Sequence, residues 1–239
     1  MREKDEGMKF WSKVLVGMVA LALLAAAGPA MAMDKLEADI KVQQARISFL
    51  KFMESPDANT PRWLLKRCRG VALFPGMIKA GFIVGGNYGS GIILSRKADG
   101  SWSGPAFFEI GGASLGLQIG ASSTDVFMVI MTEVGMQAML RNQVKLGVDA
   151  SAAAGPVGRD TSAALTGGSF KADVYSYSRS AGLFAGAMLS GAGIEYDQQA
   201  TAAYYGVKMT AGQIFKGVKD QPKLPSSAQQ LLESLNQYD

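Results

Sequence analysis

The chain has 239 residues, with 24 Lys and Arg against 20 Asp and Glu, a single cysteine and no histidine. The lack of histidine excludes imidazole acid–base chemistry, His-based triads and His-ligated metals. Cys68 has no partner for an internal disulfide, so the fold must stand on packing. The net charge of +4 is too small to point to nucleic acid.

Residues 1–32 have the layout of an export signal. Lys9 and Lys13 precede an apolar run over 14–27, and Ala30-Met31-Ala32 forms an A-x-A cleavage site. The run is short for a bilayer span, which makes an uncleaved anchor the lesser alternative. The charged residues before Met8 are unusual for a signal and leave Met8 as an alternative start. No cysteine follows the cleavage site, so no lipoprotein anchor is expected. The remainder, 33–239, has the size of one domain with a core of its own, and its balance is 20 basic to 17 acidic residues.

Residues 34–54 read as a helix, with Leu36, Ile40, Ile47 and Leu50 as its apolar face. Ser55-Pro56-Asp57 ends it. A second helix is expected to start at Thr60, with Pro61 in its first turn, and to run to Arg69 before Gly70. From Val71 to Met131 the text turns to β, with short strands at 82–84, 91–94, 107–110 and 114–119. Asp99-Gly100 gives a hairpin signal, and the all-apolar run 126–131 suits a central buried strand. Thr132 caps a predicted short helix through Arg141. Further on, a strand and turn are expected after Gly147, a strand at 172–178, and helices at 197–206 and 225–237.

Of the 29 glycines, 13 lie between Gly70 and Gly120. Glycine weakens strands, so its repeated use in β text points to bends, bulges or close approach of another backbone. The run from Gly85 to Gly91 fits neither G-x-G-x-x-G nor a P-loop, and Ile92-Ile93-Leu94 after it reads as strand, so no helix N-terminus is there to hold phosphate. Acids such as Glu109, Asp125, Glu133, Asp149, Asp173 and Glu195 are scattered, and serines lack a base. No catalytic residue, metal site or cofactor is expected. The strongest positive signal is the second helix. At helical spacing Arg62, Lys66 and Arg69 line one face, with Arg67 and Trp63 beside it. That pattern suits anionic headgroups, although a solvated surface helix fits it equally well.

The chain resembles the SYLF domain family, found in bacterial exported proteins and in eukaryotic membrane and actin-patch regulators. The resemblance is carried by Arg69-Gly-Val-Ala-Leu-Phe-Pro75, Lys79-Ala-Gly-Phe82, Gly85-Gly86, Trp102-Ser-Gly-Pro105, and residues 110–120 with Asp125 after them. It continues through Gly147-Val-Asp149, Ala153-Ala-Gly-Pro-Val-Gly-Arg159, Tyr177-Ser-Arg-Ser180, residues 182–186 and Tyr204-Tyr-Gly206. It implies a non-enzymatic, phospholipid-binding module, with phosphoinositides as the eukaryotic ligand. Binding residues carried over to this sequence are Lys35, Lys41, Arg62, Lys66, Arg67, Arg69 and Lys79.

The expected fold is α+β, a glycine-rich, curved, mainly antiparallel sheet or barrel-like core flanked by N-terminal and C-terminal helices. The expected function is peripheral binding to anionic phospholipid, in the periplasm, through Arg62, Trp63, Lys66, Arg67 and Arg69. An exported chain meets no actin, so the family's actin activity is not expected here. Two alternatives remain: an envelope scaffold that binds proteins, and a carrier that encloses lipid inside the curved sheet. Asp149 and Arg159 are expected to form a structural ion pair or hydrogen-bond network.

Overall fold

A computed structural model describes residues 33–141, 143–156, 171–181, 183–187, 189–218 and 222–239. The expected signal, 1–32, and Arg159 therefore lie outside the described residues. The first helix, α1 (Lys35–Met53), is opened by a capping box: the Asp34 carboxylate accepts from the Glu37 amide while the Glu37 carboxylate accepts from the Asp34 amide. α2 (Asn59–Leu65) follows within a few residues.

Two very long strands come next, β1 (Gly70–Ser95) and β2 (Ala106–Ile130), paired antiparallel from Gly70↔Ile130 to Ile93↔Ala106. The short strands expected between 82 and 131 are stretches of these two, because the glycines bend the ribbon without ending it. Fully extended, the 26 residues of β1 would reach about 85 Å. Instead its two ends meet, with the Arg96 amide donating to the Arg69 carbonyl at 2.8 Å. The strand therefore turns back on itself.

Glycine permits the crossing. A Cβ on Gly91 would stand 2.2 Å from the Leu73 carbonyl oxygen, and one on Gly70 would stand 2.7 Å from that of Leu94. At Gly76 (φ +65°) the register shifts, and the Gly76 amide donates to the Asp125 carboxylate at 2.9 Å. Leu73, Phe74, Met77, Ile92 and Ile93 are all buried, so this part of the ribbon is covered on both faces.

The rest of the seven-stranded sheet is built along β2. α3 (Glu133–Ala138) is capped by Thr132, as expected, but ends three residues before Arg141. β3 (Gln143–Lys145), β4 (Ala152–Ala154), β5 (Val174–Ser180), β6 (Leu183–Gly186) and β7 (Gly193–Tyr196) are short. β7 pairs with the first part of β2 and β5 with its last part, while β4 beside β5 is the parallel exception. The helices α4 (Gln198–Tyr205), α5 (Ala211–Lys216) and α6 (Ser226–Gln237) close the order. The α+β architecture and the curved, mainly antiparallel sheet agree with the expectation.

α1 packs on the sheet through aromatic contacts. Phe49 and Phe52 meet the Phe127 ring at 5.9 and 5.6 Å, and Tyr177 and Phe184 stack at 5.4 Å beside them. α4 and α6 hold the flank: the Ser227 hydroxyl donates to Asp39 at 2.6 Å and bonds the Tyr204 hydroxyl at 2.8 Å, while Arg46 Nε donates to Ser234 Oγ at 2.9 Å.

The apolar face expected on α1 needs correcting. Ala38, Val42, Ala45, Phe49, Phe52 and Met53 are the buried set, whereas Leu36, Ile40 and Ile47 are 67%, 42% and 49% exposed. Only Leu50 of the expected face packs partly against the core. α1 carries two apolar stripes on opposite sides, and the aromatic one is the stripe that packs inward.

Candidate functional site

The basic segment between α1 and β1 does not form the continuous helical stripe that its spacing predicts. α2 ends at Leu65, and Gly70 already belongs to β1. Thr60, expected as the N-cap, is buried inside the helix, and Ala58 takes the cap position without a side-chain bond. The helix stops early because the chain must enter the sheet: the Arg69 amide donates to the Ile130 carbonyl at 2.7 Å, which holds residue 69 at the entry to β1 rather than in the helix.

The five clustered residues consequently differ in role. Arg62 is half-buried, donates to the Met53 carbonyl, and lies 5.7 Å from the centroid of the Tyr238 ring, tying the end of α1 to α2 and to the chain's last turn. Arg67 stacks on the Trp63 ring at 4.2 Å and donates to the Trp63 carbonyl at 3.2 Å. Lys66 and Arg69 are exposed.

The other carried-over cations do not join them. Lys35 opens α1, about 27 Å along the helix from Met53. Lys41 is half-buried, and that burial pushes its ammonium below the ordinary lysine range. Lys79 sits opposite Ser122 on the far part of the ribbon.

Sequence reasoning missed Arg96. Its guanidinium meets the Asp239 carboxylate at 2.5 and 2.7 Å, donates to the Leu65 carbonyl at 2.9 Å, and lies 4.4 Å from the Trp102 ring centroid. Burial works against its charge, and the Asp239 contact outweighs that, raising its value. Beside it the Cys68 thiol donates to Leu65, and burial pushes it up to about 11. No local pattern announces this clamp, because its partners are 143 residues apart.

Asp149 accepts from Arg141 at 3.0 Å and from the Lys145 amide at 2.7 Å. Glu109 and Glu195 stand directly opposite on β2 and β7, and the Tyr88 hydroxyl donates to Glu109 at 2.6 Å. They line a cavity of about 630 Å³ along β2, β3 and β7, with Gly111 and Gly193 also on its lining. A second cavity of about 630 Å³ lies between the end of β1, α3 and α5. Among the described residues no group of three or more Cys, Asp or Glu is placed to hold a metal ion, and no helix is long and apolar enough to cross a membrane.

Comparison with known proteins adds the family. The model of the Ysc84 family, described as "Las17-binding protein actin regulator", matches residues 111–238. The chain belongs to the Ysc84 (SYLF) family. Protein YSC84 of Saccharomyces cerevisiae is 36% identical over 183 residues, covering 75% of this chain and 38% of its own length. LAS seventeen-binding protein 3 of the same species is 34% identical, covering 74% of this chain and 39% of its own length. The human SH3 domain-containing YSC84-like protein 1 is 32% identical, with 77% and 52% covered. The chain thus spans from under two fifths to about half of the length of these Ysc84 relatives, one of which is named as a Las17-binding protein. No solved structure matches the chain.

Proposed function

We propose that this Ysc84-family chain is a non-catalytic module, exported to the periplasm, that associates peripherally with anionic phospholipid membranes. The observation that carries the reading is the outward stripe of α1: Leu36, Ile40 and Ile47 lie exposed on the side opposite the core, with Lys51 in line one turn further on. A helix that keeps aliphatic side chains in water on one face while packing the other on a sheet has a surface suited to an interface. The basic segment adds electrostatic attraction. Lys66 and Arg69 are exposed and contribute about 1 kcal/mol each near an anionic surface. Trp63, stacked under Arg67, has the residue type favoured at headgroup level. Arg62 is assigned to holding the segment in shape rather than to headgroups.

Co-sedimentation with phosphatidylglycerol and with phosphatidylcholine vesicles tests this. Binding to the anionic vesicles alone is expected, falling at least fivefold in Ile40→Ser/Ile47→Ser and in Lys66→Ala/Arg69→Ala. Equal binding to both vesicle types contradicts the proposal. A second reading, a protein-binding module, is favoured by the relatives' names, which specify a protein partner. In that case the α1 stripe meets a protein, and the Ile40/Ile47 variant abolishes complex formation in lipid-free extract.

A further inference from the structure

Two glycines of the sheet are not required by the fold. Gly111 and Gly193 face each other on β2 and β7, in a stretch whose register runs without a shift, and neither has a left-handed backbone. A Cβ on Gly111 would stand 3.6 Å from the Asn87 carbonyl oxygen and 3.9 Å from the Tyr88 ring, and one on Gly193 would stand 3.7 Å from the Gly111 carbonyl oxygen. Those are ordinary contacts, unlike the overlaps at Gly70 and Gly91. Glycine weakens a strand, and with no bulge, left-handed turn or crossing backbone at these positions its remaining use is to leave room for a ligand.

That room has walls. Across four strands one row runs Tyr88, Gly111, Gly193, Lys145, so the bare pair lies between a tyrosine and a lysine about 14 Å apart, three strand spacings. The next row on the same face, Glu109, Glu195 and Gln143, closes one end. All of these line the cavity of about 630 Å³, a volume within the range of small-molecule sites, roughly 300–1,000 Å³. Tyr88 is 54% exposed yet held in place, its hydroxyl donating to Glu109 at 2.6 Å.

Charge narrows the ligand class. The acids are Glu109, Glu195 and Asp149, with Asp197, whose charge acts on the Tyr88 phenol; the cations are Lys145 and Arg141. An anion is therefore repelled. Three of the acids are already engaged: Glu109 by Tyr88, Asp149 by Arg141 and the Lys145 amide, and Asp197 by the Ala200 amide. Among the described residues the side chains of Glu195, Gln143 and Lys145 engage no partner. A free acceptor, a free amide and a free donor around one floor suit hydroxyls, which both donate and accept. An organic cation drawn to Glu195 would also meet the Lys145 ammonium.

We propose that this trough binds a neutral pyranose sugar, its flat face on the Gly111–Gly193 floor and against the Tyr88 ring, its hydroxyls bonded by Glu195, Gln143 and Lys145. A β-1,4-linked pair of rings is flat and lies along such a floor. The proposal is independent of the membrane reading.

Titration calorimetry of the purified protein tests it with cellobiose, with sorbitol as hydroxyls without a ring, and with putrescine as an organic cation. Saturable 1:1 binding of cellobiose is expected, at least tenfold tighter than of the other two. Tyr88→Ala should weaken it about tenfold and Tyr88→Phe, which keeps the ring, by no more than about threefold. Gly193→Val should abolish it while the melting temperature stays or rises, because the side chain fills the trough and suits a strand. Absence of cellobiose binding, putrescine binding as tightly, or unchanged binding in Gly193→Val overturns the proposal. Cellohexaose binding more tightly than cellobiose sustains it with a longer glycan as the source, and equal binding sustains it with a free disaccharide. Vesicle sedimentation of Gly193→Val should match that of the parent protein, so the two readings fail separately.

Discussion

The two sides of α1 carry apolar residues at the same helical spacing, yet one is sealed and the other open. The inward side uses buried Met53 with Phe49 and Phe52, whose rings meet those of Phe127 and Phe184; the outward side uses Leu36, Ile40 and Ile47, which are exposed. α4 and α6 cover the flank through Tyr204, Ser227 and Asp39 but leave the outward stripe uncovered. A helix apolar all round is normally buried all round. Stability and surface function are thus divided between opposite faces of one helix.

The division breaks most sharply at Phe52. Phe52→Ala should cost about 3–5 kcal/mol of unfolding free energy in urea, because it leaves a cavity beside the Phe127 and Phe184 rings. A loss below 1 kcal/mol would mean that the inward side is not the structural one. Next comes the tether at the helix end. Arg62→Ala strips the Met53 carbonyl and the Tyr238 ring of their partner and should cost about 1–3 kcal/mol, with vesicle binding reduced only in proportion to unfolding.

A smaller effect is read by pH. Burial pushes the Tyr204 phenol up to about 12, while the unfolded chain ionises near 10. Between those values the unfolded state binds fewer protons, so stability falls as pH rises from about 10 to about 12. Cys68, raised to about 11 by burial, begins the same decline nearer pH 9. Tyr204→Phe should lessen the slope above about pH 10, to which the buried and likewise raised Tyr177 and Tyr205 also contribute, and Ile40→Ser should leave it untouched. Smallest of all, Ile40→Ser/Ile47→Ser should change stability by no more than about 0.5 kcal/mol per site, while lowering vesicle binding at least fivefold. A large loss of stability would show the outward stripe to be core.

Much of this fold was legible in the residues. The bounds of α1, α4 and α6 follow from periodicity and breakers. The glycine pattern called for close backbone approach, which Gly91 against Leu73 provides. The choice of face on α1 was not legible: 36-40-47 and 38-42-45-49-52 are both helical series, and periodicity does not say which meets a sheet. Strand lengths were also hidden, since a glycine that bends a strand reads like one that ends it. The basic stripe failed for a tertiary reason. Arg69 has the spacing of a helix, but its amide is claimed by Ile130, 61 positions later. The Arg96–Asp239 clamp and the cavity beside it depend on contacts across the whole chain.

The central claim is that the outward side of α1 faces a membrane, and a nitroxide at position 40 tests it directly. Ile40→Cys can be labelled selectively because Cys68 is buried with its thiol pKa raised. With phosphatidylglycerol vesicles the label should become more accessible to oxygen and less accessible to a soluble nickel complex, while a label at Gly100, in the exposed hairpin turn, should not change. If position 40 stays as open to nickel with anionic vesicles as without them, α1 does not face the membrane and the account is wrong.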